Sequence, residues 1–401
     1  MALTSASIQI GVAKRLLQGY GSPLYVYDGD RLQQTIRQIS QAIPYPHTQF
    51  RFASVTNGNV SLLRIFRAAN WGLHANTPGD VYLGLQAGFA PQQIVYSGSN
   101  LNREEMEQVL VWGVSTLNLD SLAQLQLCCE VYQSLSLSQP RLGLRLNEPT
   151  LTGNSRIGVR PEEFAEAIAL ADSANLKITG LHFYRGTGTN ATTAFTQVIS
   201  TLISIAQKLP DWQYLDFGGG FGYPYRHQQV AFDWQQFGQA LSEQLEQLEK
   251  AIELVIEPGR AAIAGSAILL ATVVSVKWQN DKQIVGVDTT IANLSVLAVH
   301  GGYRQIIALN YSSCQSLLHA TDVCGNTTYS RDYLGQNCQL PSLKIGDILA
   351  ILDVGAYGYA MSSHFLHRPR PAEVLLEQNK ARLIRQREDY SVLLDNQIFE
   401  S

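Results

Sequence analysis

The feature that most constrains the fold is a regular alternation, between about residues 24 and 260, of short β-rich runs and longer helical stretches. This pattern is typical of a parallel α/β domain, because each parallel strand needs a crossover, usually a helix, before the next one. The first run, "LYVYD", lies apart, and we expect it to join a second domain. The remaining eight are the number that closes a (β/α)8 barrel: "QFRFASV", "WGLHANT", "IVYSG", "TLNLD", "RLGLRLN", "KITGLHFY", "YLDFGGG" and "ELVIEPG".

The segments between these runs carry signals for helix starts. "PGDVYLGLQAGF" opens with Pro78, and proline is favoured in the first turn because its missing N–H would be unpaired there anyway. "REEMEQVLVWG" has two glutamates at its beginning, where the positive end of the helix dipole favours acids. Both segments are therefore predicted to be barrel helices.

The sequence pattern changes beyond Arg260, where runs rich in β-branched residues follow one another without long helices between them, as in "SAILLATVVSVKWQ" and "DILAILDVG". A chain of 401 residues also exceeds the usual size of a single core. We therefore expect an α/β fold in three parts. They are an N-terminal segment 1–30 that joins the β domain, a (β/α)8 barrel over 31–265, and a C-terminal β domain over 266–401.

Composition excludes several classes of function. The net charge is −4 with acids and bases interspersed, so no basic stripe is available for nucleic acid. No run of about 18 apolar residues predicts a membrane helix, and the first residues lack the apolar core of a secretory signal, so we expect a cytoplasmic protein. The five cysteines show no ligand spacing, which indicates reduced thiols and no zinc site.

Three consecutive glycines, Gly218, Gly219 and Gly220, directly follow the predicted strand "YLDF". Backbone N–H groups without Cβ atoms in the way can converge on a phosphate, and loops after late barrel strands form such sites. Glycines also serve ordinary tight turns through their backbone freedom. The triplet alone leaves both interpretations open.

Three further motifs combine polar and glycine residues. "IEPGR" ends the next strand with Glu257 and Arg260, which form either a ligand site or a structural ion pair. "LHFYRGTGTN" places Tyr184 and Thr187 at another strand end, in either a phosphate-binding loop or a simple turn. "DVGAYGYAMSSHF" places Tyr357 in a turn that suits a ligand contact or packing equally well.

Taken in order, these motifs resemble the fold-type III pyridoxal-phosphate decarboxylases, the family of diaminopimelate, ornithine and arginine decarboxylases. The resemblance extends from "SPLYVYD" to "SSHFLHRPRPAEVLL", nearly the whole chain, and rests on the "GGG", "EPGR" and "GAYG" signatures in their order. It implies a TIM barrel followed by a β-rich domain of the alanine racemase and decarboxylase type. It also implies a homodimer whose active sites are shared, with Ser330 and Asp332 in the contributed loop.

The resemblance assigns roles to individual residues. The three glycines and Arg260 would bind the phosphate of the cofactor, Tyr357 would reach the same phosphate, and Glu257 would face the pyridine nitrogen. The complete set of implied cofactor-binding positions is Gly218, Gly219, Gly220, Glu257, Gly259, Arg260, Tyr357, Tyr184 and Thr187.

The reactive positions depart from the family pattern. Where the family carries the lysine that forms the Schiff base, the matching stretch "FASVTN" has Val55. Valine has no amine, so it cannot hold the cofactor covalently or carry a proton. Tyr184 stands at the ring-stacking histidine, and Thr328 and Tyr329 align with the catalytic cysteine and its acidic neighbour. "NLSVLAVHGGY" lacks the arginine that would bind the substrate carboxylate, and no other lysine lies at a predicted barrel strand end.

These losses favour a pseudoenzyme that binds a phosphorylated small molecule at the barrel mouth, with a possible regulatory protein partner. Pyridoxal phosphate is a candidate ligand, held only noncovalently, and no metal is expected. The alternative is a pyridoxal-phosphate-dependent amino-acid decarboxylase with a noncovalent cofactor, and a third hypothesis is a cofactor carrier. Val55 separates them, because a covalent enzyme needs an amine at that position.

Overall fold

The computed structural model describes residues 8–135, 137–186, 188–311 and 317–398. The chain forms two compact units. The barrel unit consists of Thr35–Pro224 and Val230–Ala262. The sheet unit consists of the residues up to Gln34, the short segment Tyr225–Gln229 and the residues from Ile263 onward.

Eight parallel strands of the barrel unit close on themselves, with Thr48 of one end strand opposite Leu254 of the other. Each of the eight predicted runs forms one of these strands, so the predicted barrel is confirmed. Strand β1 (Leu24–Asp28) belongs to the sheet unit. The barrel strands are β2 (Thr48–Ala53), β3 (Gly72–Ala75), β4 (Ile94–Tyr96), β5 (Thr116–Leu119), β6 (Arg141–Arg145), β7 (Ile178–His182), β8 (Tyr214–Asp216) and β9 (Glu253–Ile256).

Capping residues define where the barrel helices begin. Thr77 and Asp80 form a reciprocal capping box at the helix that starts with Pro78, and Asn102 and Glu105 do the same at the helix that starts with Arg103. The α-helices are α1 (Ile10–Tyr20), α2 (Gly29–Gln41), α3 (Val60–Ala68), α4 (Pro78–Ala87), α5 (Arg103–Val111), α6 (Leu122–Ser134), α7 (Pro149–Thr152), α8 (Phe164–Ser173), α9 (Thr192–Thr196), α10 (Ile199–Ala206), α11 (Trp234–Glu246), α12 (Arg260–Ile263) and α13 (Val296–His300).

The barrel interior is filled by side chains, and the ring of Tyr214 on β8 occupies much of the space beside β6 and β7. Gly180 lies so close to this ring that an added Cβ would come within 1.9 Å of Cζ. An added Cβ on Gly143 would lie 2.2 Å from the Tyr214 hydroxyl oxygen. Glycine is therefore required at both positions, because interiors are close-packed and leave no slack for such an overlap.

The sheet unit adds eight strands to β1. They are β10 (Ala267–Gln279), β11 (Lys282–Val287), β12 (Ile306–Ala308), β13 (Leu318–Cys324), β14 (Tyr333–Pro341), β15 (Ile348–Ile351), β16 (Ala372–Glu377) and β17 (Lys380–Arg385). They form one large sheet with the order β14-β13-β11-β10-β1-β16-β17, and β15 pairs with both β10 and β12. The β-rich second domain predicted from the sequence is confirmed, although β13, β14, β16 and β17 were not identified from the sequence.

The predicted thiol state and membrane behaviour can be compared with the described residues. Cys128, Cys129, Cys324 and Cys338 are free thiols, and Cys314 lies outside the described residues. In the described part of the chain, no helix combines the length and the hydrophobicity needed to cross a bilayer.

Candidate functional site

The loops that follow the last three barrel strands approach one another closely at their glycines. Gly218 has a left-handed φ of 67°, and an added Cβ would lie 2.0 Å from the carbonyl oxygen of Phe183 in the loop after β7. An added Cβ on Gly219 would lie 2.7 Å from the carbonyl oxygen of Glu257, just after β9. Any larger residue would push these loops apart, so the glycines are needed for the loops to converge.

The loops also approach one another at Gly220, the last residue of the glycine triplet, and at Gly188. The Thr189 N–H donates to the carbonyl of Gly220 at 3.2 Å, which joins the loops after β7 and β8. Gly188 lies beside Arg260, and an added Cβ would be 3.3 Å from the Arg260 Nε. The loops after β7, β8 and β9 therefore bring glycine backbone and one guanidinium together. Thr187, a predicted cofactor contact, lies outside the described residues.

Two buried carboxyls stand below these loops, Asp216 at the end of β8 and Glu257 directly after β9. They are 0% and 2% exposed. Burial raises the pKa of Glu257 to about 7, against which a hydrogen bond from Asp216 and the charges of Arg145 and Arg51 act. Burial and the nearby Glu257 charge also raise the pKa of Asp216 well above its usual value.

Two buried histidines face Glu257 from β3 and β7. The Nε2 of His182 lies 3.4 Å from the Glu257 Oε2, and the Nε2 of His74 lies 3.5 Å from the same oxygen. Burial lowers the pKa of His182 to about 4 and lowers the pKa of His74 well below its usual value, an effect that the His182 charge reinforces. Both imidazoles are therefore neutral near pH 7. The Nδ1 atoms of both rings are buried without a hydrogen-bond partner.

A chain of hydrogen bonds from the barrel interior holds Asp216 in place. The Tyr214 hydroxyl donates to the Asn118 Oδ1 at 2.8 Å, and the Asn118 Nδ2 donates to Asp216 at 2.9 Å. The Gly218 N–H donates to the other oxygen of Asp216 at 3.0 Å. These three donors and acceptors come from β5, β8 and the glycine loop, so the floor of the site is rigidly supported.

Arg145 and Tyr184 lie next to this floor. The guanidinium of Arg145, at the end of β6, lies 5.3 Å from the centre of the Tyr184 ring, within range of a cation–π contact. Tyr184 follows β7 and is half-buried. A tyrosine ring and an arginine thus stand at the position where the resemblance implies a ring-stacking histidine.

Val55 lies in the short 3₁₀ turn Ser54–Thr56 that follows β2. Its side chain is 44% exposed, whereas Ser54 and Thr56 on either side are each 1% exposed. The Ser54 hydroxyl donates to the backbone oxygen of His74 at 2.9 Å and fixes the turn against β3. The turn is therefore well defined, and the exposed side chain that it presents at the carboxyl end of β2 is apolar.

The remaining predicted site residues lie in the sheet unit. Tyr357 has a left-handed φ of 58° and follows β15. Thr328 is exposed in the loop between β13 and β14, and Tyr329 packs edge-on against Phe365 with ring centres 5.5 Å apart. Asp332 is 3% exposed and accepts hydrogen bonds from Thr290, Ile291 and Thr327 of its own unit, so its carboxylate anchors this loop.

Comparison with known proteins identifies the family. Residues 30–264, more than half of the chain, match the profile described as "Pyridoxal-dependent decarboxylase, pyridoxal binding domain". The chain belongs to this family. The matched residues include every barrel strand and the glycine triplet.

Relatives of this family resemble the chain over both units. A diaminopimelate decarboxylase of Methanothermobacter thermautotrophicus is 32% identical over 405 residues, covering 96% of this chain and 94% of the relative. The structure of diaminopimelate decarboxylase from Helicobacter pylori complexed with L-lysine has a TM-score of 0.87 and 27% identity, covering 95% of this chain and 98% of that one. Lysine/ornithine decarboxylase from Vibrio vulnificus complexed with cadaverine shares the fold alone, with a TM-score of 0.82 and 22% identity over 92% of this chain and 96% of that one.

Several residues of the buried floor were not identified as a group from the sequence. His74, Asn118, Arg145 and Asp216 each lie at or near the carboxyl end of a barrel strand. A polar residue in an otherwise apolar strand run is a signal for such a position, since the carboxyl ends of barrel strands meet at one face. That signal marks candidate positions, but which of these side chains touch depends on barrel closure.

Proposed function

We propose that this member of the pyridoxal-dependent decarboxylase family binds a phosphate-bearing ring ligand noncovalently at the barrel mouth and does not decarboxylate amino acids. Pyridoxal phosphate is the first candidate for the ligand. The observation that carries the proposal is Val55, an exposed valine at the end of β2 where the family signature implies a lysine. A valine cannot form the covalent attachment through which the family is expected to work.

The positions of the barrel lysines support this proposal. Lys177 immediately precedes β7, Lys208 follows α10, and Lys250 lies between α11 and β9. All three stand on connections that lead into the amino ends of strands, the opposite face from the glycine loops. Strands β7, β8 and β9 have five, three and four residues, which is about 10–17 Å at about 3.3 Å per residue. A lysine side chain reaches only about 6 Å, so none of these amines replaces the missing one.

The residues that remain fit a noncovalent ligand. The glycine loops and Arg260 form a cradle suited to a phosphate, because backbone N–H groups and a guanidinium are strong donors to anions. Glu257 supplies a buried carboxyl that suits a ring nitrogen. Bound pyridoxal phosphate would supply an electron-withdrawing ring, and the protein would supply binding and orientation.

Arg260→Ala should weaken the binding of pyridoxal phosphate at least about tenfold, because a charge-assisted contact contributes about 1.5–3 kcal/mol. Calorimetry measures this directly. The control is Arg103→Ala on α5, whose exposed guanidinium pairs with Glu130 at 2.7 Å away from the loops, and we expect it to bind like the wild type. Equal affinity in the wild type and Arg260→Ala would contradict the proposed cradle.

Carbon dioxide release tests the absence of catalysis. With added pyridoxal phosphate, the wild-type protein should release none from diaminopimelate, lysine, ornithine or arginine. A turnover of about 1 per second or more with any of them would overturn the pseudoenzyme proposal. It would support the alternative, a decarboxylase with a noncovalent cofactor, which the retained Asp216 and Glu257 carboxyls favour.

Val55→Lys should create a covalent attachment point without restoring activity. Borohydride reduction with pyridoxal phosphate followed by peptide mass mapping should find the adduct at position 55 in the variant and at no lysine in the wild type. Turnover should stay low, because Tyr184 and Thr328 still replace the family's implied histidine and cysteine, and groups that act as a unit do not recover singly. A stoichiometric adduct on a wild-type lysine would contradict the proposal.

The proposal includes a homodimer and, as a possible role of the ligand-bound form, regulation of a partner protein. Its support is the family membership together with the similarity over both units. Sedimentation equilibrium at micromolar concentration should give a mass near two chains of 44.2 kDa. A mass near one chain would refute the dimer.

A further inference from the structure

The buried floor of the barrel groups two imidazoles and one carboxylate from three different strands. Each of His74, His182 and Glu257 offers one ligand atom, and the three atoms lie within 4.8 Å of one another. Two histidines with one carboxylate form a donor set that Zn²⁺ and other divalent transition metals use in proteins. No local pattern predicts this set, because its members are separated by 108 and 75 residues.

The two separations from Glu257 match those around a tetrahedral ion. Bonds of about 2.0–2.1 Å to nitrogen and oxygen place neighbouring ligand atoms about 3.3–3.4 Å apart. The two Nε2 atoms lie 3.4 and 3.5 Å from the Glu257 Oε2. These distances are long for hydrogen bonds but suit atoms that share one metal ion.

The ring nitrogens of the cluster also suit a cation. An imidazole binds a metal through a nitrogen lone pair, and neither Nδ1 atom of the two rings has a hydrogen-bond partner among the described residues. The nearby arginines have other partners, because Arg145 lies over Tyr184 and Arg51 donates to Gln49.

We propose that His74, His182 and Glu257 bind one divalent transition-metal ion at the floor of the barrel, with an open coordination position toward the mouth. This revises the expectation from the sequence that the protein holds no metal. Because Glu257 would also face the ring nitrogen of the proposed ligand, the metal belongs to the form without that ligand. The metal proposal does not depend on the proposed function.

Cobalt is a suitable probe, because a protein site of this donor set gives Co²⁺ visible absorption bands whose intensity reports four-coordination. Tag-free full-length protein, stripped with a chelator, should bind one equivalent of Co²⁺, and Zn²⁺ should displace it. His74→Gln and His182→Gln should each weaken binding at least about 100-fold, since each removes a ligand. The matched control is His47→Gln, which changes an exposed histidine of the same unit and should bind like the wild type.

Thermal unfolding provides a second measurement that does not depend on colour. Zn²⁺ should raise the melting temperature of the wild type and of His47→Gln by mass action, and should leave His74→Gln and His182→Gln unchanged. Melting curves without metal establish that the variants are folded. Absence of both the cobalt bands and the Zn²⁺-dependent shift in the wild type would overturn the proposal, as would wild-type affinity in both histidine variants.

Discussion

Among the described residues, each unit buries one glutamate almost completely, and the two are surrounded differently. Glu373 of the sheet unit is 0% exposed, accepts a hydrogen bond from the Tyr27 hydroxyl at 2.7 Å and pairs with the Arg385 guanidinium. Glu257 of the barrel unit is 2% exposed, and its nearest neighbours are two neutral imidazoles and another carboxyl. Of these two glutamates, only Glu373 pairs directly with a guanidinium, whereas the charges of Arg145 and Arg51 act on Glu257 without forming an ion pair with it.

This difference separates a structural acid from a ligand-binding one. Buried polar groups are nearly always paired, and an exception calls for an explanation. Glu373 joins β16 to β17 and to β1, so its partners come from the sheet that it stabilises. The acids and imidazoles at the barrel floor leave donors and acceptors unused, which is expected where a ligand or ion completes the set.

The largest effect is expected when Glu373 loses its cation. Arg385→Ala should lower the free energy of unfolding by about 3 kcal/mol, because it removes the guanidinium that pairs with a buried carboxylate. Urea denaturation measures the change. The control is Arg382→Ala on the same strand, whose pair with Glu377 at 3.8 Å is exposed and should contribute less than about 1 kcal/mol. Equal effects of the two variants would remove the contrast between the two glutamates.

Removing the charge of Glu257 is expected to raise the free energy of unfolding, unlike the loss of the cation beside Glu373. The folded pKa of Glu257, about 7, lies above the unfolded value of 4.5, so its contribution to stability is present below pH 4.5 and is lost as the pH rises through 7. Glu257→Gln cannot ionise, so the variant does not lose this stability as the pH rises. Relative to the wild type, the variant should gain about 1–2 kcal/mol in unfolding free energy between pH 5 and pH 8.

Denaturation at the two pH values tests this gain in apo protein stripped of metal. Glu249→Gln serves as the control, since Glu249 is an exposed glutamate in the same unit. Its difference from the wild type should not change with pH. A Glu257→Gln difference that is equally independent of pH would show that this carboxyl is paired like Glu373.

A smaller effect is expected at Glu388 of the sheet unit. Burial would raise its pKa, but hydrogen bonds from Arg370 and His364 outweigh burial and lower the pKa to about 2. Its contribution is therefore present above pH 4.5 and lost as the pH falls through 2. The advantage of the wild type over Glu388→Gln should shrink between pH 5 and pH 2 by less than about 1 kcal/mol, because the pair is partly exposed. Acid titration followed by circular dichroism would contradict this if the advantage grew.

The barrel was predictable because each of its strands can be recognised from a short stretch of sequence. Apolar runs such as those of β4 and β5, separated by the capped helix α5, require only neighbouring residues to be recognised. The later strands β13 and β14 were missed because their burial alternates irregularly, with register shifts between them. A half-exposed, irregular strand lacks the period on which the sequence prediction depends.

The sequence by itself determined which residue types are available: a glycine triplet, Glu257 and Arg260 at strand ends, and a valine in place of an amine. Those are properties of single positions and short motifs. Only the tertiary structure decided that His74 and His182 meet Glu257, because their contact arises when β3, β7 and β9 are closed into one ring. Closure brings together residues far apart in the chain, and burial then sets their pKa values, which no local pattern specifies.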